Sequence, residues 1–143
     1  MTQEKKQLLL KDLCSRLPYG VVGLYTWKCK ESYNRELTGS LYDELELSWS
    51  NTDDSQFLPY LRPLSSMTEN EFQNLKRYSG LIYYQLELQE FYDNSKCLEF
   101  YLSEIPSYVV ILVFDWLNKY HFDYRGLIPM GLALEATKDM YNS

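Results

Sequence analysis

The residues best able to do chemistry cluster late in the chain: His121, Asp123, Tyr124 and Arg125, with Trp116 shortly before them. An imidazole oriented by Asp123 or Asp115 is a general base, and a Cys or Ser nearby would then be its nucleophile. Asp123 and Arg125 can instead hold a ligand, Arg125 through its planar fork. The spacing argues against catalysis. His121 and Asp123 are two residues apart and would diverge on a helix. There is no Gly-x-Ser-x-Gly elbow and no local signature of a catalytic Cys. No catalytic residue is assigned. The segment reads first as a structural clasp and second as a binding edge made by His121, Asp123, Tyr124, Arg125 and Trp116. In the clasp, His121 ends a helix, where a partly charged imidazole complements the dipole. Asp123 caps the following turn, and Arg125 pairs with a carboxylate.

Other constellations carry less. Cys14, Cys29, Cys97 and His121 would make a Cys₃His metal set only by converging from afar, since no two lie closer than 15 positions. No metal site and no cofactor is expected. In the acidic stretch of Asp43, Glu44 and Glu46, the two glutamates share one face opposite Leu45 and Leu47, the pattern of a solvated sheet face, without calcium-loop spacing. The 6 glycines are scattered and form no phosphate loop.

Charge narrows the partners. The chain carries a formal charge of −6, and no basic cluster exceeds two adjacent residues. Binding to double-stranded nucleic acid or to an anionic membrane needs the opposite balance. Basic or neutral protein partners fit better, and the 14 tyrosines suit half-buried and interface positions. The longest apolar run, Val109 to Phe114, stops at Asp115, far short of the roughly 20 residues a spanning helix needs. Three widely spaced cysteines argue against a disulfide framework and for a reducing compartment. The expectation is a cytoplasmic protein with no membrane segment.

The elements that must position these residues follow from periodicity. Residues 3–16 predict a helix, stopped by Pro18-Tyr19-Gly20. From Val21 the period falls to two, and residues 21–62 predict three to five short strands. Leu37 to Tyr42 reads as strand broken at Gly39. Leu45, Leu47 and Trp49 read as the cleanest half-buried strand. Phe57 to Pro63 is extended, its prolines favouring an edge or exit. Thr68 to Glu71 is a capping box, opening a helix from about Glu69 to Tyr78 that ends near Gly80. Residues 81–102 fit helix or strand. Ser103 to Pro106 opens a helix whose stripe is Val109, Leu112, Val113, Trp116, Leu117 and Tyr120. Asp123 caps a turn through Ile128, Gly131 supplies a left-handed exit, and Leu132 to Glu135 make a short strand. Thr137 to Ser143 is expected to fray.

Three blocks carry a resemblance. Leu8–Gly20 (LLLKDLCSRLPYG), Pro59–Thr68 (PYLRPLSSMT), and Asp115–Asn118 with His121–Ile128 and Gly131–Ala136 (DWLN, HFDYRGLI, GLALEA) are similar to a group of short uncharacterised proteins from gut Bacteroidetes and their phages. The resemblance covers about a third of the residues. It implies a cytoplasmic protein of phage or mobile-element origin. It brings no known activity, so no residue acquires a chemical role from it.

The expected fold is α+β: an N-terminal helix, a small antiparallel sheet or partly closed barrel, and a helical C-terminal part ending in a short strand. One domain spans 1–143, with a possible division into 1–63 and 64–143 and a seam at Pro63 to Met67. The leading functional expectation is a non-catalytic protein-interaction module. The alternative is a β-barrel binder of single-stranded nucleic acid, with Tyr25, Trp27 and Trp49 as stacking platforms and a basic groove around Lys28, Lys30 and Arg35. A ligand or catalytic pocket near His121 comes third.

Overall fold

The computed structural model describes residues 2–27, 31–50, 56–83, 105–137 and 139–141. The fold is α+β, with four helices and five short strands among the described residues. It divides into two units. One comprises Met1–Leu61 and Leu127–Ser143, the other Arg62–Gly126. The first boundary falls just before the expected seam. The second, at Gly126/Leu127, is a finding: the last segment belongs with the N-terminal unit rather than with the helical one.

In the first unit, α1 (Gln3–Arg16) starts where Thr2 Oγ1 accepts the Lys5 amide at 3.2 Å. Leu9 and Leu13, one helical turn apart, enter the core fully. A short 3₁₀ turn, Leu17–Tyr19, follows, and Gly20 takes φ 68° to release the chain. Strand β1 (Val22–Trp27) pairs antiparallel with β2 (Glu31–Glu36) and with β3 (Gln56–Pro63). The period-two reading holds here, since Val21, Gly23 and Tyr25 face inward. Gly23 is required by its neighbour: a Cβ there would lie 2.4 Å from the Phe57 ring.

The expected strands between Leu37 and Trp49 are replaced by helix α2 (Gly39–Ser50). Thr38 Oγ1 caps it by accepting the Leu41 amide at 3.2 Å. Leu41, Leu45 and Trp49 recur every four residues and are buried, while Leu47 is 66% exposed. The alternation that suggested a strand was a subset of this helical stripe. Asp43, Glu44 and Glu46 therefore lie on the outer side of a helix, not on a sheet face.

Strand β3 is extended as expected but is not an edge. Beyond β1 it pairs in parallel with β5 (Leu134–Glu135), at Tyr60 and Leu61. The sheet is thus open and mixed rather than antiparallel or barrel-like. The core of this unit gathers Leu9, Leu41, Leu45, Phe57, Leu61 and Leu132.

In the second unit the end of β3 pairs in parallel with β4 (Phe122–Asp123), Arg62 opposite Phe122. A 3₁₀ turn, Leu64–Ser66, leads to α3 (Glu69–Ser79). The capping box is present: Thr68 Oγ1 accepts the Glu71 amide at 3.2 Å, and Glu71 Oε1 accepts the Thr68 amide at 3.0 Å. Gly80, at φ 90°, ends the helix as expected. Helix α4 (Ser107–Lys119) starts after Pro106 and packs on α3 through Phe72, Leu75, Val109, Val113 and Leu117. Leu81–Tyr83 is a 3₁₀ turn, and the rest of the ambiguous stretch to residue 102 lies outside the described residues. No helix among the described residues is long and apolar enough to cross a membrane.

Candidate functional site

The late segment builds its geometry from the end of α4. Lys119 is the last helical residue, and Tyr120 donates its amide back to the Trp116 carbonyl at 3.1 Å. His121 then takes φ 64°, a left-handed position rarely held by a residue with a side chain. That reversal turns the chain into β4, where the His121 carbonyl accepts the Arg62 amide at 2.8 Å. His121 thus follows the C-cap residue Tyr120, and its side chain is buried, as is that of Asp123.

The other members are also tied inward. Trp116 is buried, stacked on Phe122 with centroids 5.7 Å apart and interplanar angle 11°, and packed on Tyr120 at 4.5 Å. Tyr124 packs against Phe114 at 5.0 Å, and its hydroxyl donates to Asn118 Oδ1 at 2.8 Å. Arg125 Nη2 donates to the same hydroxyl at 3.2 Å and its guanidinium lies over the Tyr124 ring. Asp123 does not open a capped helical turn; it is the second residue of β4, paired opposite Pro63. The five residues come together as a linked structural corner.

Arg62 completes that corner, and sequence reading missed it. Its guanidinium stacks on Phe122 at 4.2 Å and makes two hydrogen bonds to Glu71, at 2.6 and 2.8 Å. These bonds hold the Glu71 carboxyl below its ordinary range, aided by the Thr68 amide and opposed by partial burial.

One face of α4 points away from the core. Tyr108, Ile111 and Asp115 follow at three- and four-residue steps, so they share a face. Tyr108 is 67% exposed and Ile111 66%. Tyr78, from the last turn of α3, donates its hydroxyl to Asp115 Oδ2 at 2.5 Å. That bond raises the Tyr78 pKa and fixes a third aromatic or apolar group beside the carboxylate.

The proposed stacking platforms fare differently. Tyr25 is 6% exposed and Trp49 3%, so neither ring offers a face to a base. Arg35 lies over the Tyr25 ring at 5.6 Å and 4.0 Å from Glu44. The Trp27 side chain, Lys28 and Lys30 lie outside the described residues. So do Cys29 and Cys97, while Cys14 is an exposed free thiol. Among the described residues no three His, Cys, Asp or Glu side chains converge to hold a metal ion.

Two further polar features lie in the first unit. Asp12 and Arg16 form a bidentate ion pair, 2.7 and 3.1 Å, with both side chains fully buried. Their four-residue helical spacing is the signal that could have found them. Tyr141, in the segment expected to fray, donates its hydroxyl to the Tyr60 carbonyl at 2.7 Å and accepts the Val22 amide at 3.0 Å. Burial pushes its pKa up to about 12. Compared with family models, curated proteins and solved structures, the chain gives no match.

Proposed function

We propose that the chain is a non-catalytic protein-interaction module, a cytoplasmic accessory factor of phage or mobile-element origin that binds a basic or neutral protein. The observation that carries this reading is the outer face of α4. Tyr108 and Ile111 stand exposed on one face, with Tyr78 fixed beside them by Asp115. Scattered exposed apolar residues are ordinary, but a grouped set with a carboxylate at its rim is how recognition surfaces are built. The charge of −6 favours a partner carrying basic groups around an apolar centre. The inward packing of His121, Asp123, Tyr124 and Arg125 supports giving that segment a structural role.

The test is affinity capture from the native host with half the lysate nuclease-treated, run beside a Tyr108→Ser/Ile111→Ser variant. A stoichiometric protein that survives nuclease and is lost with the variant supports the reading. Capture unchanged by the variant sinks it. Nucleic acid released by raised salt would turn attention to the binder of single strands.

A further inference from the structure

Among the described residues, strand β2 lies at the edge of the sheet, with β1 on one side and no strand on the other. Its residues are exposed along the whole length except Arg35, which is half-buried. The Leu37 amide donates to the Val21 carbonyl at 2.8 Å, and this fixes which residues of β2 bond to β1. By the alternation of an antiparallel ladder, Glu31, Tyr33 and Arg35 exchange hydrogen bonds with β1. Ser32, Asn34 and Glu36 then direct their N–H and C=O groups outward. β2 contains no proline, so every outward amide is a usable donor.

We infer that this edge pairs antiparallel with β2 of a second copy of the chain, Tyr33 opposite Tyr33 at the two-fold axis. The charge pattern of β2 favours this register. In that register Arg35 faces Glu31 of the second copy, and symmetry repeats the pair. Ser32 faces Asn34 of the second copy, and both present outward backbone groups, so the two exchange hydrogen bonds. Tyr33 is 48% exposed and packs edge-on against Tyr25, 5.6 Å between centroids, which holds its ring on the face where the twin would meet it. Arg35 is held on the same face by Tyr25. Neighbouring registers are worse. A slip in one direction sets Arg35 against Arg35 of the second copy. An intermediate slip sets Glu31 against Leu37 and loses both ion pairs. Charges on an edge strand ordinarily deter pairing, and here they also select one register. The inference does not depend on the α4 face.

The experiment is sedimentation equilibrium of the full chain from about 10 µM to about 1 mM, the range expected of a short two-strand contact. A reversible dimer is expected. Arg35→Glu should weaken it about tenfold or more, because two attractive cross-strand pairs become repulsive. Glu31→Arg/Arg35→Glu should restore it to within about threefold, because the exchange recreates both pairs. Asn34→Pro should abolish it while leaving the ladder to β1 intact, since the Asn34 amide points away from β1. In the unaltered protein, hydrogen exchange at the Ser32 and Asn34 amides should slow as concentration rises. A monomer throughout the range, a dimer indifferent to Asn34→Pro, exchange independent of concentration, or failure of the charge exchange to rescue would each overturn the proposal.

Discussion

Arg62 holds Glu71 through both carboxylate oxygens, Nη1 to Oε2 at 2.6 Å and Nη2 to Oε1 at 2.8 Å. The same Oε1 accepts the Thr68 amide that completes the capping box. One carboxylate thus serves the start of α3 and the strand residue stacked on Phe122.

Because Arg62 lowers the Glu71 pKa, this contribution to stability has a defined pH window. The folded value lies below the ordinary 4.5, so the unfolded chain takes up the proton first as pH falls. The stabilisation is complete above about pH 4.5 and is lost as pH drops through the folded value. Glu71→Gln should cost about 1 kcal/mol at pH 7, discounted for partial exposure, and should flatten the acid limb of a stability profile. Urea unfolding between about pH 3 and 7 reads both effects; a variant with the unaltered acid slope would contradict the assignment.

Tyr141 gives the opposite sign at the other end of the scale. Its folded pKa, about 12, exceeds the ordinary tyrosine value of 10.0, so its stabilisation is complete below about pH 10 and disappears as pH rises towards 12. Tyr141→Phe removes the hydroxyl shared by Val22 and Tyr60 and should cost about 1–2 kcal/mol at neutral pH. It should also remove part of the alkaline loss. A circular-dichroism titration of both proteins makes the comparison.

Asp12 and Arg16 are fully buried together. Asp12→Ala should cost about 3–5 kcal/mol, because a guanidinium is left without its carboxylate in the core. Asp12→Leu/Arg16→Met should cost less than the single change, since the burial penalty goes with the charges. The order of the three urea midpoints decides the matter.

Gly23→Ala should be disproportionately harmful for one methyl group. The new Cβ would lie 2.4 Å from a Phe57 ring that is itself fully buried. The overpacking should cost about 1–3 kcal/mol. Adding Phe57→Leu should recover part of the loss, and thermal melts of the two variants show whether the ring is the obstacle.

The sequence was most informative where a signal is local. Thr68 and Glu71 define a cap three residues apart, and α3 begins there. Leu9 and Leu13 mark α1 in the same way. At α2 two periods coincide: Leu45 and Trp49 satisfy both alternation and a helical stripe. Leu41 satisfies both as well; Leu47 separates the two, and it is exposed. Polar β2 has no apolar alternation at all, because neither of its faces is buried. The corner at His121 was legible as a dense segment, but its partners Arg62 and Glu71 were not, since nothing local links them. Tyr141 was missed because its two contacts are with backbone groups, which leave no mark on side-chain patterning.

The order of residues in the first unit has a consequence for synthesis. Its core includes Leu9 and Leu13 but also Leu127 and Leu132, while Arg62–Gly126 is continuous in the chain. On the ribosome, α1, β1 and α2 emerge first with apolar faces that their last neighbours cannot yet cover. The intervening unit is then complete before Leu127 is translated. The first unit closes only when β5 reaches β3 and Tyr141 reaches Val22, so of the two units the one begun earlier is the later to mature.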